Sequence, residues 1–219
     1  MDINILKKLK SGTDIRGVAT EGVANEPVTL TEEVIKSIAY GFCLWLSQNK
    51  NKPIDELKIS VGNDSRISAA KMKSYLIDEF INLGAHVFDC SLTSTPSMFM
   101  STMDIPCDGA ISITASHHPF NKNGFKFFTK EGGLNSSDID LIIKLACKDY
   151  NPGLKKGSVK TINYVDTYSK HLRDIILKET NSHNAHPLEG FKIVVDASNG
   201  AGGFYASKVL APLGADISA

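Results

Sequence analysis

The chain has 219 residues, 42% of them hydrophobic, and its 24 lysines and arginines balance 24 aspartates and glutamates. This length and apolar share suit one large folded domain, or one domain plus part of another, and exclude a disordered chain. With no net charge, no long-range field draws nucleic acid or an anionic membrane as a partner, so any anion site must be local.

Residues 1–11, MDINILKKLKS, lack the apolar core of a secretion signal, and nowhere does the chain reach the roughly 18 consecutive apolar residues of a membrane span. A cytoplasmic location is the expectation. Residues 29–49 place Val34, Ile35, Ile38, Phe42, Trp45 and Leu46 at helical spacing, with Thr29 and Glu32 as a capping box at the start. LKISVGND reads as a strand running into a turn, SAAKMKSYLIDEFINLG as a helix ending at Gly84, and AHVFDC as the next strand.

After a loop rich in Ser, Thr and Pro, TPSMFMSTM predicts a short helix, and GAISITAS predicts a strand that delivers Ser116 at its carboxyl end. Asn123-Gly124 reads as a turn into a further strand, GFKFFT. A helix is expected over about 138–149, where the acidic residues of Asp138-Ile139-Asp140 favour the helix start over a metal. Asn151 to Ser158, NPGLKKGS, is a polar connector, and a domain boundary is placed near it, dividing the chain into 1–155 and 156–219.

Beyond the connector, Val165, Tyr168, Leu172, Ile175 and Ile176 mark a helix, and FKIVVDASNGAGG predicts a buried strand entering a glycine-rich turn. NGAGG does not match G-x-G-x-x-G, and a tight strand-to-helix turn accounts for it without a nucleotide. A helix over about 204–213 and the start of another strand in ADISA follow. The chain would then stop inside a β-α-β unit, so a fragment of a longer protein is expected. The alternation predicts a three-layer α/β/α fold around a mostly parallel mixed sheet, in which ligands gather beyond the carboxyl ends of strands. Cys43, Cys90, Cys107 and Cys147 are widely spaced with no C-x-x-C pair, the pattern of buried, inert thiols.

The chemistry concentrates at ITASHHPFNKNGFKFF. The context T-A-S-H-H-P lacks a G-x-S-x-G elbow, and adjacent Ser and His diverge along an extended backbone, so a serine hydrolase finds no assignable base and acid. Arg16 in GTDIRG, Arg66 in GNDSRIS, His117 and Lys126 are donors or cations in loop contexts that together suit a doubly charged phosphate on Ser116 or on a substrate. Taken singly, each has a plain structural alternative: a hydrogen-bonded turn, a surface ion pair, or the solvated face of a strand.

GTDIRG, VGNDSRIS, ITASHHPFNKNGFKFF and VVDASNGAGG occur in the order and separation that resemble the α-D-phosphohexomutases, the phosphoglucomutase and phosphomannomutase superfamily. The resemblance covers nearly the whole chain and implies the family's domain 1 followed by the incomplete start of a similar domain 2. It implies Ser116 as the phosphoserine, His117 as its neighbour in the catalytic loop, Lys126 as acid/base or phosphate-stabilising cation, and Arg16 as a supporting contact. His118 stands where the family often has asparagine.

The implied reaction interconverts hexose 1-phosphate and hexose 6-phosphate of mannose or glucose. Phosphoserine donates to the free hydroxyl, a hexose 1,6-bisphosphate forms and reorients, and its other phosphoryl group returns to Ser116. The implied cofactors are Mg2+, which the phosphoryl group on Ser116 would help to hold, and the phosphoserine itself, primed by a hexose 1,6-bisphosphate. The family's remaining metal ligands come from a D-G-D-x-D-R loop that this chain lacks, so the 219 residues alone are expected to be inactive. A phosphoglucosamine mutase, or a non-enzymatic sugar-phosphate-binding module of the same fold, are the alternatives.

Overall fold

The computed structural model describes residues 1–180 and 184–218. It opens with a short helix, α1 (Ile3–Lys7), and two strands, β1 (Lys10–Ser11) and β2 (Asp14–Val18). There follow α2 (Glu32–Lys50), β3 (Lys58–Asn63), α3 (Ala69–Asn82), β4 (His86–Leu92), α4 (Thr95–Asp104), β5 (Gly109–Ile113) and β6 (Lys122–Thr129). Next come β7 (Gly132–Gly133), α5 (Ser136–Leu145), β8 (Ser158–Thr161) and α6 (Tyr164–Glu179), and last β9 (Lys192–Val194) and β10 (Asp216–Ser218) with a π-helical turn (Tyr205–Leu210) between them.

Eight strands form one mixed sheet in the order β1-β2-β6-β5-β3-β4-β8, with β7 on β6. β3, β4, β5 and β8 run parallel. β6 turns back antiparallel to both β5 and β2, because the eight residues between β5 and β6 are too few for a crossover and reverse the chain instead. The sheet thus takes its edge strand β8 from beyond the 151–157 connector.

Strand alternation sorts the side chains onto two faces. Ile59, Val61, Ile111, Ile113, Phe125 and Phe127 join the buried residues of α2, α3 and α5 in the main core. On the other face Cys90 and Ala110 pack with Met98 of α4 and Tyr164 and Tyr168 of α6 in a smaller core. Small residues let α4 approach: a Cβ on Gly62 would lie 2.4 Å from Met98 Sδ. The result is the expected three-layer α/β/α fold. The four cysteines carry free thiols, three of them buried. Among the described residues no helix is long and apolar enough to cross a membrane.

Four local expectations change. Thr31, not Thr29, caps α2, accepting from Val34 N at 3.3 Å, while Thr29 Oγ1 accepts the Val18 N–H at 2.9 Å. Two threonines two residues apart offered equivalent caps, and the edge of β2 claimed the first. Asn123-Gly124 is no turn but lies inside β6; a Cβ on Gly124 would stand 2.3 Å from Ile15 O, so glycine serves close strand approach here. The helix expected over 138–149 spans Ser136–Leu145 and starts from an Asn135 and Asp138 capping box, which assigns Asp138 to the helix start; Asp140 pairs with Lys10 at 2.6 Å.

The fourth change concerns the last segment. β9 is not buried: among the described residues it pairs only with β10, and Val194 is 81% exposed. The helix expected over 204–213 is instead the π-helical turn flanked by 3-10 turns at Ala201–Gly203 and Ala211–Leu213, because glycines precede it and Pro212 interrupts it. The NGAGG segment makes the expected tight turn, with Ser198 and Asn199 both in the left-handed region. Ala219, at the end of ADISA, lies outside the described residues.

Candidate active site

β5 and β3 end side by side, so the loops that follow them meet at the carboxyl edge of the sheet. Asp64 N donates to Ile113 O at 3.0 Å and Thr114 N to Gly124 O at 3.0 Å, which extends the pairing a step past the strands. The chain then turns sharply. Ser116 takes φ +56°, a left-handed conformation that a residue with a Cβ enters only when its surroundings hold it there. Its side chain is exposed, and its Oγ lies 3.3 Å from His117 Nδ1. His117 and His118 stack with ring centroids 5.2 Å apart.

The cations reach the loop from the sheet. Asp14 of β2, Lys126 of β6 and Ser112 of β5 stand in register across three adjacent strands. Lys126 Nζ donates to Asp14 Oδ1 at 2.9 Å. Arg16, two residues along β2 and therefore on the same face, donates from Nη2 and Nε to Asp14 Oδ2 at 2.7 and 3.1 Å. Arg16 Nη1 also donates to Ala115 O at 2.9 Å, the carbonyl just before Ser116. The buried Asp14 thus joins Arg16 and Lys126, and Arg16 carries the link to the serine loop. Partial burial and the nearby Arg16, His117, Lys122 and Arg66 hold the His118 imidazole below its ordinary pKa; the same positive field would favour an anion at Ser116.

Of the residues singled out from sequence, Ser116, His117 and Arg16 meet at this loop, and Lys126 joins them through Asp14. Arg66 is engaged within the protein: its guanidinium donates to the carbonyls of Ser116, His118, Pro119 and Lys122, and its Nε lies 3.4 Å from Asp64 Oδ2. Among the described residues no carboxylate hydrogen-bonds His117, so the loop holds no third member of a hydrolase triad. The sequence assigns no role in the site to Asp14, Asp64 or Thr114. The i, i+2 pair Asp14 and Arg16 on a strand was a readable signal for the first, and the Asp64-x-Arg66 spacing for the second, since Asp64 Oδ1 accepts from Arg66 N at 3.1 Å as aspartates in turns commonly do.

Among the described residues no group of three or more His, Cys, Asp or Glu side chains can hold a metal ion. The two carboxylates beside the loop are engaged: Asp14 with Arg16 and Lys126, Asp64 with Thr114 and Arg66. The side chains present therefore do not by themselves make a magnesium site.

A family model described as phosphoglucomutase/phosphomannomutase, alpha/beta/alpha domain I, matches residues 7–151. The phosphoglucosamine mutase of Caldicellulosiruptor saccharolyticus is 31% identical over 214 residues, covering 94% of this chain and 44% of the relative. The phosphomannomutase/phosphoglucomutase of Pseudomonas syringae pv. tomato is 29% identical over 204 residues, covering 93% and 39%. A crystal structure of a phosphoglucomutase/phosphomannomutase family protein from Burkholderia thailandensis superposes with a TM-score of 0.75 at 22% identity, over 100% of this chain and 44% of that one. The chain spans less than half the length of these relatives. By the extent of the family match and the identity to its relatives, this chain belongs to the α-D-phosphohexomutases, the phosphoglucomutase and phosphomannomutase superfamily.

Proposed function

We propose that this chain supplies the phosphoserine part of an enzyme that interconverts hexose 1-phosphate and hexose 6-phosphate, with Ser116 as the carrier. The observation that carries the reading is the exposed Ser116 hydroxyl, on a loop whose backbone Arg16 and Arg66 hold from two sides. Phosphoryl transfer requires little covalent help from the protein beyond placement and charge neutralisation. Placement comes from the loop, and charge from Arg16 and Lys126.

In the forward half-reaction a sugar hydroxyl oxygen attacks the phosphorus on Ser116. The new O–P bond forms as the bond to Oγ breaks, and the proton that the sugar hydroxyl gives up is balanced by the one Oγ takes on, so Ser116 is left as a hydroxyl. Lys126 acts on the transferring group as acid/base or as stabilising cation, its ammonium held by Asp14. The bisphosphate then turns over in the site, and the reverse of the same step returns its other phosphoryl group to Ser116. The phosphoryl group on Ser116 is the one magnesium ligand this stretch of chain would contribute.

The relatives at 29–31% identity carry both phosphoglucosamine mutase and phosphomannomutase/phosphoglucomutase names, so mannose, glucose and glucosamine phosphates are the substrates to compare. In this reading residues 1–155 are the phosphoserine domain, to whose sheet the following stretch lends its first strand, β8, 156–219 are otherwise the beginning of the next, and the cytoplasm, where sugar phosphates are available, is the place of action. The test is mass spectrometry of the Ser116 peptide from the active full-length protein, together with turnover of the three sugar phosphates. Phosphate on Ser116 that is lost on addition of hexose phosphate supports the proposal. Phosphate confined to Ser112 or Thr114 in an active enzyme would overturn it.

A further inference from the structure

We infer that Arg66 is a positioning residue for Ser116, the closing member of a ring of hydrogen bonds that aims the serine hydroxyl. The inference rests on the reading of Ser116 as phosphoryl carrier. The Ser116 N–H donates to Thr114 Oγ1 at 3.0 Å. Thr114 Oγ1 donates to Asp64 Oδ2 at 2.7 Å. The other oxygen of Asp64 accepts from Arg66 N at 3.1 Å, and Arg66 Nη2 returns to Ser116 O at 2.7 Å. Both backbone polar groups of Ser116 are therefore fixed, and rotation about χ1 is the freedom left to its Oγ.

The same guanidinium shapes the rest of the loop. Nη2 also donates to His118 O at 2.7 Å, and Nη1 donates to Pro119 O at 2.7 Å and Lys122 O at 3.0 Å. Four carbonyls from the two limbs of one loop converge on a side chain that is only 13% exposed. A flat group with five N–H donors in a rigid fork can span them, whereas an ammonium offers three donors from a single point. This explains how Ser116 is kept at a positive φ: the ring, rather than glycine, holds the left-handed turn. Its Nε also faces Asp64 Oδ2 at 3.4 Å, so a carboxylate of the ring holds Arg66 as Asp14 holds Arg16 and Lys126.

The test uses the full-length protein and its Arg66→Lys variant, which keeps the charge and loses the fork. Turnover of hexose phosphate, and the rate at which a hexose 1,6-bisphosphate phosphorylates Ser116, are expected to fall about ten- to a hundredfold, with KM little changed. Hydrogen exchange at the His118 and Lys122 amides, which close the loop onto Ala115 O and Pro119 O, is expected to speed up while the melting temperature stays near that of the parent. Unchanged turnover with unchanged exchange overturns the inference, as does a raised KM at unchanged turnover, the signature of an arginine that binds substrate. Thr114→Val opens the ring elsewhere with Arg66 intact and is expected to reproduce the loss if Arg66→Lys fails to fold; full activity in Thr114→Val overturns the ring. If Ser116 never carries phosphate in the parent enzyme, the proposed function fails, and the exchange measurement still decides the ring.

Discussion

Asp14 and Lys126 stand directly opposite each other on β2 and β6, with the lysine ammonium 2.9 Å from a carboxylate whose side chain is 7% exposed. The other oxygen of that carboxylate holds Arg16, so two cations share one buried anion and a net positive charge remains beside the serine loop. Removing it leaves both uncompensated in a largely dehydrated place. Asp14→Ala is expected to cost roughly 3 kcal/mol of stability, read from urea denaturation; a loss below about 0.5 kcal/mol would show that solvent already carries these charges.

The same pairing makes the role of Lys126 testable by substitution of like charge. In the full-length enzyme Lys126→Met is expected to lower turnover by about two to four orders of magnitude. Lys126→Arg keeps the cation but transfers a proton poorly. Recovery by arginine identifies charge stabilisation, and no recovery identifies proton transfer. Turnover unaffected by Lys126→Met would remove the residue from the site.

Gly124 marks the closest approach of β6 to β2. An added Cβ would sit 2.3 Å from Ile15 O and 2.8 Å from Arg16 Cγ, and the first of these is backbone that cannot swing away. Gly124→Ala is expected to destabilise the chain by about 1–3 kcal/mol and to displace Arg16 from Ala115 O. Thermal unfolding measures the first effect, and a reduced rate of Ser116 phosphorylation the second.

Glu79 of α3 is 4% exposed, and its Oε1 has no hydrogen-bond partner. Burial pushes its carboxyl above the usual range of 4.5, against the opposing pull of a Tyr150 hydrogen bond and the Lys36 charge. Burial and Glu79 in turn push the Tyr150 phenol up to about 12. Because the folded state of Glu79 holds its proton more tightly than the unfolded state, this group favours folding at low pH. That contribution is lost as pH rises through the folded pKa. Glu79→Gln is expected to flatten the fall in stability between about pH 5 and about pH 8, measured by denaturation at both values; an unchanged slope would assign the pH dependence elsewhere.

Sequence by itself determined the alternation of strands and helices, the inert spacing of the cysteines, the strand that delivers Ser116, and the family, because each is written in local periodicity or in contiguous motifs. The tertiary structure decided which of Thr29 and Thr31 caps α2, that Asn123-Gly124 is strand rather than turn, that β9 is exposed, and that Arg66 grips four carbonyls of the serine loop and the Asp64 carboxylate. Each of these depends on which strands become neighbours and in what register. Asp14 meets Lys126 across 112 residues and Arg66 meets Ser116 across 50. No local preference encodes such distances; only burial of Ile111, Ile113, Phe125 and Phe127 against the helices on one face fixes the register that leaves Lys126 and Arg16 on the other.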